Sequence, residues 1–253
     1  MKIRFYPCTL ELKRPFTLSA GSRTATPAMM VEVEDEGIVG YGEASMPPYL
    51  GESAETAADF LSKIDLTAYS SPVTLDGILR DVDGAAPGNN AAKAAVDIAL
   101  HDWFGKKRGV PLYRMWGLSL STIPPTSMTI GIGTNEAVRR SVEEAAGFTF
   151  LKVKLGGEND REMIESIRGV TDIPLRVDVN QGWKDRESAL RMIEWLSTKG
   201  VQFVEQPMAK ETPEDTAWLR ARSPLPLIAT RAWPGWRIFR GRWECSTAST
   251  SSS

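Results

Sequence analysis

The chain has 253 residues, 42% hydrophobic and 25% charged, the profile of a folded globular protein with one large core or two modest ones. Its 30 Lys and Arg against 32 Asp and Glu leave a formal net charge of -2. That balance excludes the basic field that gathers nucleic acid or an anionic membrane surface, and points instead to a small-molecule partner. Cys8 and Cys245 stand far apart and without metal-ligand spacing, which excludes a disulfide framework and a zinc site and suits the reducing cytoplasm.

The opening MKIRFYPCTLEL alternates apolar and polar residues as a strand does and lacks the uninterrupted apolar run of a signal peptide. No stretch is long and apolar enough to predict a membrane span. Strands are predicted over residues 2–12, 29–34 and 40–44, separated by polar or Gly-rich breaks, which makes an antiparallel meander. Helical patterning follows over 53–64 and, in an Ala-rich run, over 90–107, stopping near Gly109. The first part of the chain therefore reads as α+β.

From Thr126 onward short apolar runs alternate with amphipathic stretches: TSMTIGI, TFLKVKL, PLRVDVN, VQFVEQP and PLPLIA, each of the first four followed by a helical segment. A repeated strand-helix unit predicts a parallel sheet with crossover helices. Lys154, Asp178, Glu205 and residue 230 then fall at steps of about 25 residues, one unit each, at the carboxyl ends of successive strands where parallel α/β folds build their sites.

Lys152 and Lys154 lie at i and i+2 on one predicted strand, so both side chains face the same way. Two adjacent ammonium groups repel, and with partial burial this is expected to lower a lysine pKa and supply a general base. Asp178 and Asn180 repeat the i, i+2 spacing on the next strand, and Glu205 ends the one after. Hard oxygen ligands from separate strand ends suit magnesium, and magnesium beside lysines can stabilise an enolate. His101 sits on an Ala- and Leu-rich helix and is read as structural.

KVKLG, DVNQGW and VEQP at one-unit spacing resemble the mandelate racemase and muconate lactonising branch of the enolase superfamily, and AAKAAVDIALHDWFGKKRGVPLYRMWG is similar to that branch's domain-joining helix. Within the branch, FTLSAGSRT, PPYLGES and TSMTIGI resemble the dipeptide epimerase group, of the L-Ala-D/L-Glu epimerase type. The resemblance implies an N-terminal capping domain over 1–120 and a (β/α) TIM-type barrel domain over 121–229. It also implies a magnesium-assisted 1,1-proton transfer at the carbon beside a dipeptide's terminal carboxylate. Lys154 would be one of two acid/base lysines, Lys152 would support the substrate carboxylate, and Asp178 and Glu205 would be two of three magnesium ligands with Asn180 behind them. Thr129, Arg23 and Tyr49 would contact substrate, and a homo-oligomer would be ordinary for the group. Muconate cycloisomerase or o-succinylbenzoate synthase chemistry uses the same lysines and acids, and a non-catalytic fragment is the reading from a different class.

The family pattern then breaks. Where the third metal-ligating aspartate is expected stands Thr230, and TRAWPGWRIFRGRWECSTASTSSS carries no apolar period of either 2 or 3.6. Restoring one base at the Ala229 codon, with suitable wobble bases, yields a frame that opens on Asp-Glu and later gives an apolar strand carrying a lysine. The expectation is an out-of-frame tail over 230–253 on a barrel of about five strands, with the third ligand and second lysine absent, poor magnesium binding, impaired epimerisation and a tendency to aggregate.

Overall fold

A computed structural model describes residues 1–19, 21–47, 50–69 and 74–230. The chain divides into two compact units, one of Met1–Pro15 with Arg23–Pro124 and the other of Phe16–Ser22 with the residues from Pro125 on.

The first unit is built on a three-stranded sheet in the order β1 (Lys2–Leu18), β2 (Gly21–Asp35), β3 (Ile38–Ser45), of which the end of β1 from Phe16 and the start of β2 to Ser22 belong to the second unit. The first two strands run further than the sequence predicts: β1 continues past Leu12 to Leu18, and β2 begins at Gly21 rather than Met29. Exposed polar residues over these extensions give no alternating signal of burial, so pattern reading stops short of them. Between β2 and β3, Glu36 and Gly37 both take positive φ, 51° and 75°, the geometry of a tight hairpin whose twist matches its strands. Register then pairs Asp35 with Ile38 and Met29 with Ala44.

Helices α1 (Ala54–Leu61), α2 (Leu75–Gly84) and α3 (Asn90–Arg108) supply the rest of this core, followed by the short α4 (Leu112–Met115). A reciprocal capping box starts α1, with Ser53 Oγ accepting from Thr56 N–H and Thr56 Oγ1 accepting from Ser53 N–H. Helix α3 packs on β3 at backbone distance, because a Cβ on Gly42 would lie 1.9 Å from the Ala95 carbonyl oxygen and one on Gly40 2.1 Å from that of Ala99. Val31, Val33, Phe60, Leu61, Ile78, Ala95, Leu100 and Trp103 fill the space between sheet and helices.

The second unit alternates strand and helix without exception: β4 (Ser127–Ile130), α5 (Asn135–Glu144), β5 (Phe150–Lys154), α6 (Asp160–Arg168), β6 (Leu175–Asp178), α7 (Arg186–Ser197), β7 (Val201–Glu205), α8 (Pro213–Arg220) and β8 (Leu227–Ile228). The five strands among its described residues from Pro125 on are parallel and lie in sequence order, as a right-handed βα repeat arranges them and as the sequence predicts. Buried Leu151, Val153, Leu175, Val177 and Val204 face the helices, which return Val138, Met163, Ile164, Ile193 and Leu196 to the same core. The alternate residues of each strand are therefore left for the opposite face. No described helix is long and apolar enough to cross a membrane.

Candidate active site

Strand register assembles the site. On β5 the residues that do not face the core are Phe150, Lys152 and Lys154; Lys152 stands beside Thr129 of β4 and Arg176 of β6, and Lys154 beside Asp178. Asp178 in turn pairs with Glu205, which pairs with Ile228. The step of one polar group per strand end thus becomes a row of neighbours on one face.

The side chains in that row are bonded to one another. Lys154 Nζ donates to Asp178 Oδ2 at 2.6 Å, and Lys152 Nζ lies 3.0 Å from the same oxygen and 2.6 Å from Glu205 Oε2. Asp178 is 1% exposed, so two ammonium groups share one buried carboxylate oxygen. Burial alone would raise the Asp178 carboxyl, but hydrogen bonds and charge from Lys154 and Lys152 hold it below the usual carboxylate range. Burial likewise pulls Lys152 down, and its bonds to Glu205 and Asp178 more than offset this, so its pKa stands above the ordinary lysine value. The expected lowering by lysine-lysine repulsion is corrected here for Lys152: the carboxylates dominate.

Asn180 departs from its expected place as the second member of an i, i+2 pair. Strand β6 ends at Asp178, and Asn180 and Gln181 follow with φ of 51° and 69°, a left-handed turn that ends the alternation. The Asn180 backbone N–H donates to Asp178 Oδ1 at 3.0 Å, while its own Oδ1 is buried with no hydrogen-bond partner. Thr129 is half-buried beside Lys152. Arg23 lies exposed on β2 in the first unit. Tyr49 and the tail 231–253 lie outside the described residues.

Thr230 stands at the end of the row, its Oγ1 donating to Glu205 Oε1 at 3.1 Å and its backbone N–H to Gln206 Oε1 at 2.9 Å. Gln206, 2% exposed, is a residue that sequence reading missed; it sits next to Glu205 in VEQP with positive φ, and its Nε2 donates to the Met208 carbonyl. A second omission is Arg176, whose guanidinium lies 3.9 Å from the Phe150 ring centroid and donates to Gln202 Oε1 and Ser127 Oγ one layer below the acids. An arginine two residues before Asp178 was the available signal. A third is Asp160, a buried carboxylate on α6.

As a metal site the row is suitable in kind and short in number. Asp178 and Glu205 are hard oxygen donors on neighbouring strands, which magnesium prefers. Among the described residues, however, no group of three His, Cys, Asp or Glu could hold a metal ion, and a neutral hydroxyl occupies position 230.

A parallel βα repeat with lysines and then acids on successive strand ends, together with an α+β unit, defines the enolase type of two-domain protein. A family model for the mandelate racemase / muconate lactonizing enzyme N-terminal domain matches residues 3–117, and one described as enolase C-terminal domain-like matches residues 134–241. The chain is 55% identical to an L-Ala-D/L-Glu epimerase of Bacteroides thetaiotaomicron over 90% of this chain and 60% of that protein. It is 36% identical to an L-Ala-D/L-amino acid epimerase of Pedosphaera parvula over 92% of this chain and 69% of that one. Among solved structures, the dipeptide epimerase of Cytophaga hutchinsonii complexed with Mg and D-Ala-L-Val superposes with a TM-score of 0.79 at 30% identity, over 90% of this chain and 64% of that one. The chain belongs to the mandelate racemase / muconate lactonizing enzyme family, of which it spans about 60% of the length of the Bacteroides relative.

Proposed function

We propose that this chain carries one half of the catalytic apparatus of a dipeptide epimerase, and that the observation behind the proposal is the Lys152–Lys154–Asp178–Glu205 row. The substrate would be a dipeptide and the reaction a 1,1-proton transfer at the carbon beside its terminal carboxylate. The capping domain over 1–120 and the barrel segment over 121–229 belong to the same reading, as does action in the cytoplasm.

Lys154 takes the proton. Once its ammonium has given up a proton and left the Asp178 pair, Nζ accepts a proton from the substrate carbon, and the C–H electron pair moves into the adjacent carboxylate to form an enediolate; return of the proton to the same face regenerates the starting configuration. Lys152 remains an ammonium throughout, because its two carboxylate partners favour the charged form, and so serves to offset negative charge on the substrate. Thr129, next to Lys152, positions that carboxylate. Asp178 and Glu205 would hold magnesium, which when bound supplies Lewis-acid stabilisation of negative charge on carboxylate oxygens. Among the described residues of the second unit the remaining lysines engage elsewhere, Lys184 with the Gln181 carbonyl, Lys199 with Glu165 and Lys210 with Glu211. One-sided proton exchange is therefore the chemistry these residues supply, and inversion requires a second base on the other face.

The test is a panel of L-Ala-L-Glu, other L,L-dipeptides and muconate in deuterated buffer with magnesium. Deuterium entering the C-terminal α position of a dipeptide supports the proposal. Conversion of muconate alone would replace it with the cycloisomerase reading.

A further inference from the structure

Asp160 is 3% exposed, and the chemistry above does not use it. Its carboxylate accepts the Gly156 N–H at 2.9 and 3.0 Å on its two oxygens, the Gly157 N–H at 2.9 Å, and the Trp183 Nε1–H at 2.9 Å. Gly156 and Gly157 lie on the β5–α6 loop just after Lys154, and Trp183 lies on the β6–α7 loop just after Asp178. The carboxylate thus joins the two loops that follow the two ends of the 2.6 Å Lys154–Asp178 bond.

The loops also meet backbone to backbone. A Cβ on Gly182 would lie 2.5 Å from Gly156 Cα and 3.0 Å from its carbonyl oxygen, and one on Gly156 would lie 2.8 Å from the Val179 carbonyl oxygen. Gly156 has φ of 102°, a conformation that a side chain strongly disfavours. Below this contact the Leu155 N–H donates to the Asp178 carbonyl at 3.0 Å. A closed circuit results: Lys154, the glycine turn, Asp160, Trp183, Asp178, and back to Lys154.

We infer that Asp160 is a positioning residue, whose carboxylate latches the two loops so that Lys154 Nζ is held on Asp178. A carboxylate is suited to this because it only accepts, and all the groups turned toward it donate. Its consequence for proton transfer rests on the reading of Lys154 as acid/base, but the latch itself can be read without turnover.

The experiment is trace acetylation of the full chain by acetic anhydride at fixed pH, with Lys154 labelling measured by peptide mass spectrometry relative to exposed Lys63 in the first unit. Asp160→Asn turns an amide N–H toward the donors and should raise the Lys154:Lys63 ratio about threefold, the equivalent of one weakened hydrogen bond. Trp183→Phe keeps an aromatic ring and removes the indole N–H donor, and a smaller rise is expected. Ile193→Val, in the same core but without a polar group that could join the latch, should leave the ratio unchanged. A wild-type ratio in folded Asp160→Asn, or an equal rise in Ile193→Val, overturns the assignment. If Asp160→Asn does not fold, an unchanged ratio in Trp183→Phe overturns it. Because labelling needs no substrate, a chain without epimerase activity still gives the answer.

Discussion

Asp178 Oδ2 accepts from two ammonium groups at once, and that shared oxygen is buried. Replacing Asp178 with Asn leaves Lys154 and Lys152 with a weakened acceptor in a largely buried setting. Because both lysines keep some solvent, the loss is expected at about 2 kcal/mol, below the full cost of breaking a buried pair. Urea unfolding monitored on the second unit should show it, and an Asp178→Asn chain as stable as the parent would mean that solvent, not Asp178, carries the lysine charges. Position 230 makes an independent residue-scale claim. Thr230→Asp places a third carboxylate next to Glu205 and should tighten magnesium binding by about tenfold, roughly 1.4 kcal/mol. Isothermal titration measures this directly; unchanged affinity would show that the carboxylate count is not what limits the site.

At the scale of elements, the contact of β3 with α3 depends on the absence of side chains at Gly40 and Gly42. Gly42→Ala would drive a methyl into the Ala95 carbonyl, which belongs to helix backbone and cannot swing aside. A loss of about 3 kcal/mol is expected, visible as a lower thermal midpoint by circular dichroism; an unshifted midpoint would mean that α3 can slide on the sheet. Removal of the α1 cap by Ser53→Ala should cost about 1 kcal/mol in the same measurement. These elements also show what a sequence can disclose. The α3 run, with Ala at close spacing and Gly109 closing it in a left-handed turn, and the four βα units with the strand that follows them were legible because burial writes itself into apolar periodicity. The extensions of β1 and β2 were not, because their mix of exposed and half-buried residues follows no alternating pattern. The bonded row was legible where charges fall on strands, at Lys152, Lys154, Asp178 and Glu205. Asn180 was misplaced because a left-handed turn breaks alternation, and Asp160 escaped notice because its partners are backbone amides and an indole, which no spacing of charges reveals.

At the scale of the whole molecule, the parallel sheet of the described residues has five strands in order, with β4 and β8 outermost. Unpaired strand edges template association with other chains unless they are covered. The weight-average mass of the purified chain from light scattering should therefore rise with concentration, and a monodisperse monomer at every concentration would show that these edges are shielded. The same sheet presents its acids and lysines on one face, and proton transfer through Lys154 is what this arrangement is proposed to do. Its most direct measurement is loss of the C-terminal α-proton signal of L-Ala-L-Glu by NMR in deuterated buffer with magnesium, for the parent chain and for Lys154→Met. The account predicts exchange with retention of the L configuration in the parent and none in the variant; exchange that persists in Lys154→Met, or its absence from a folded parent chain, would contradict it.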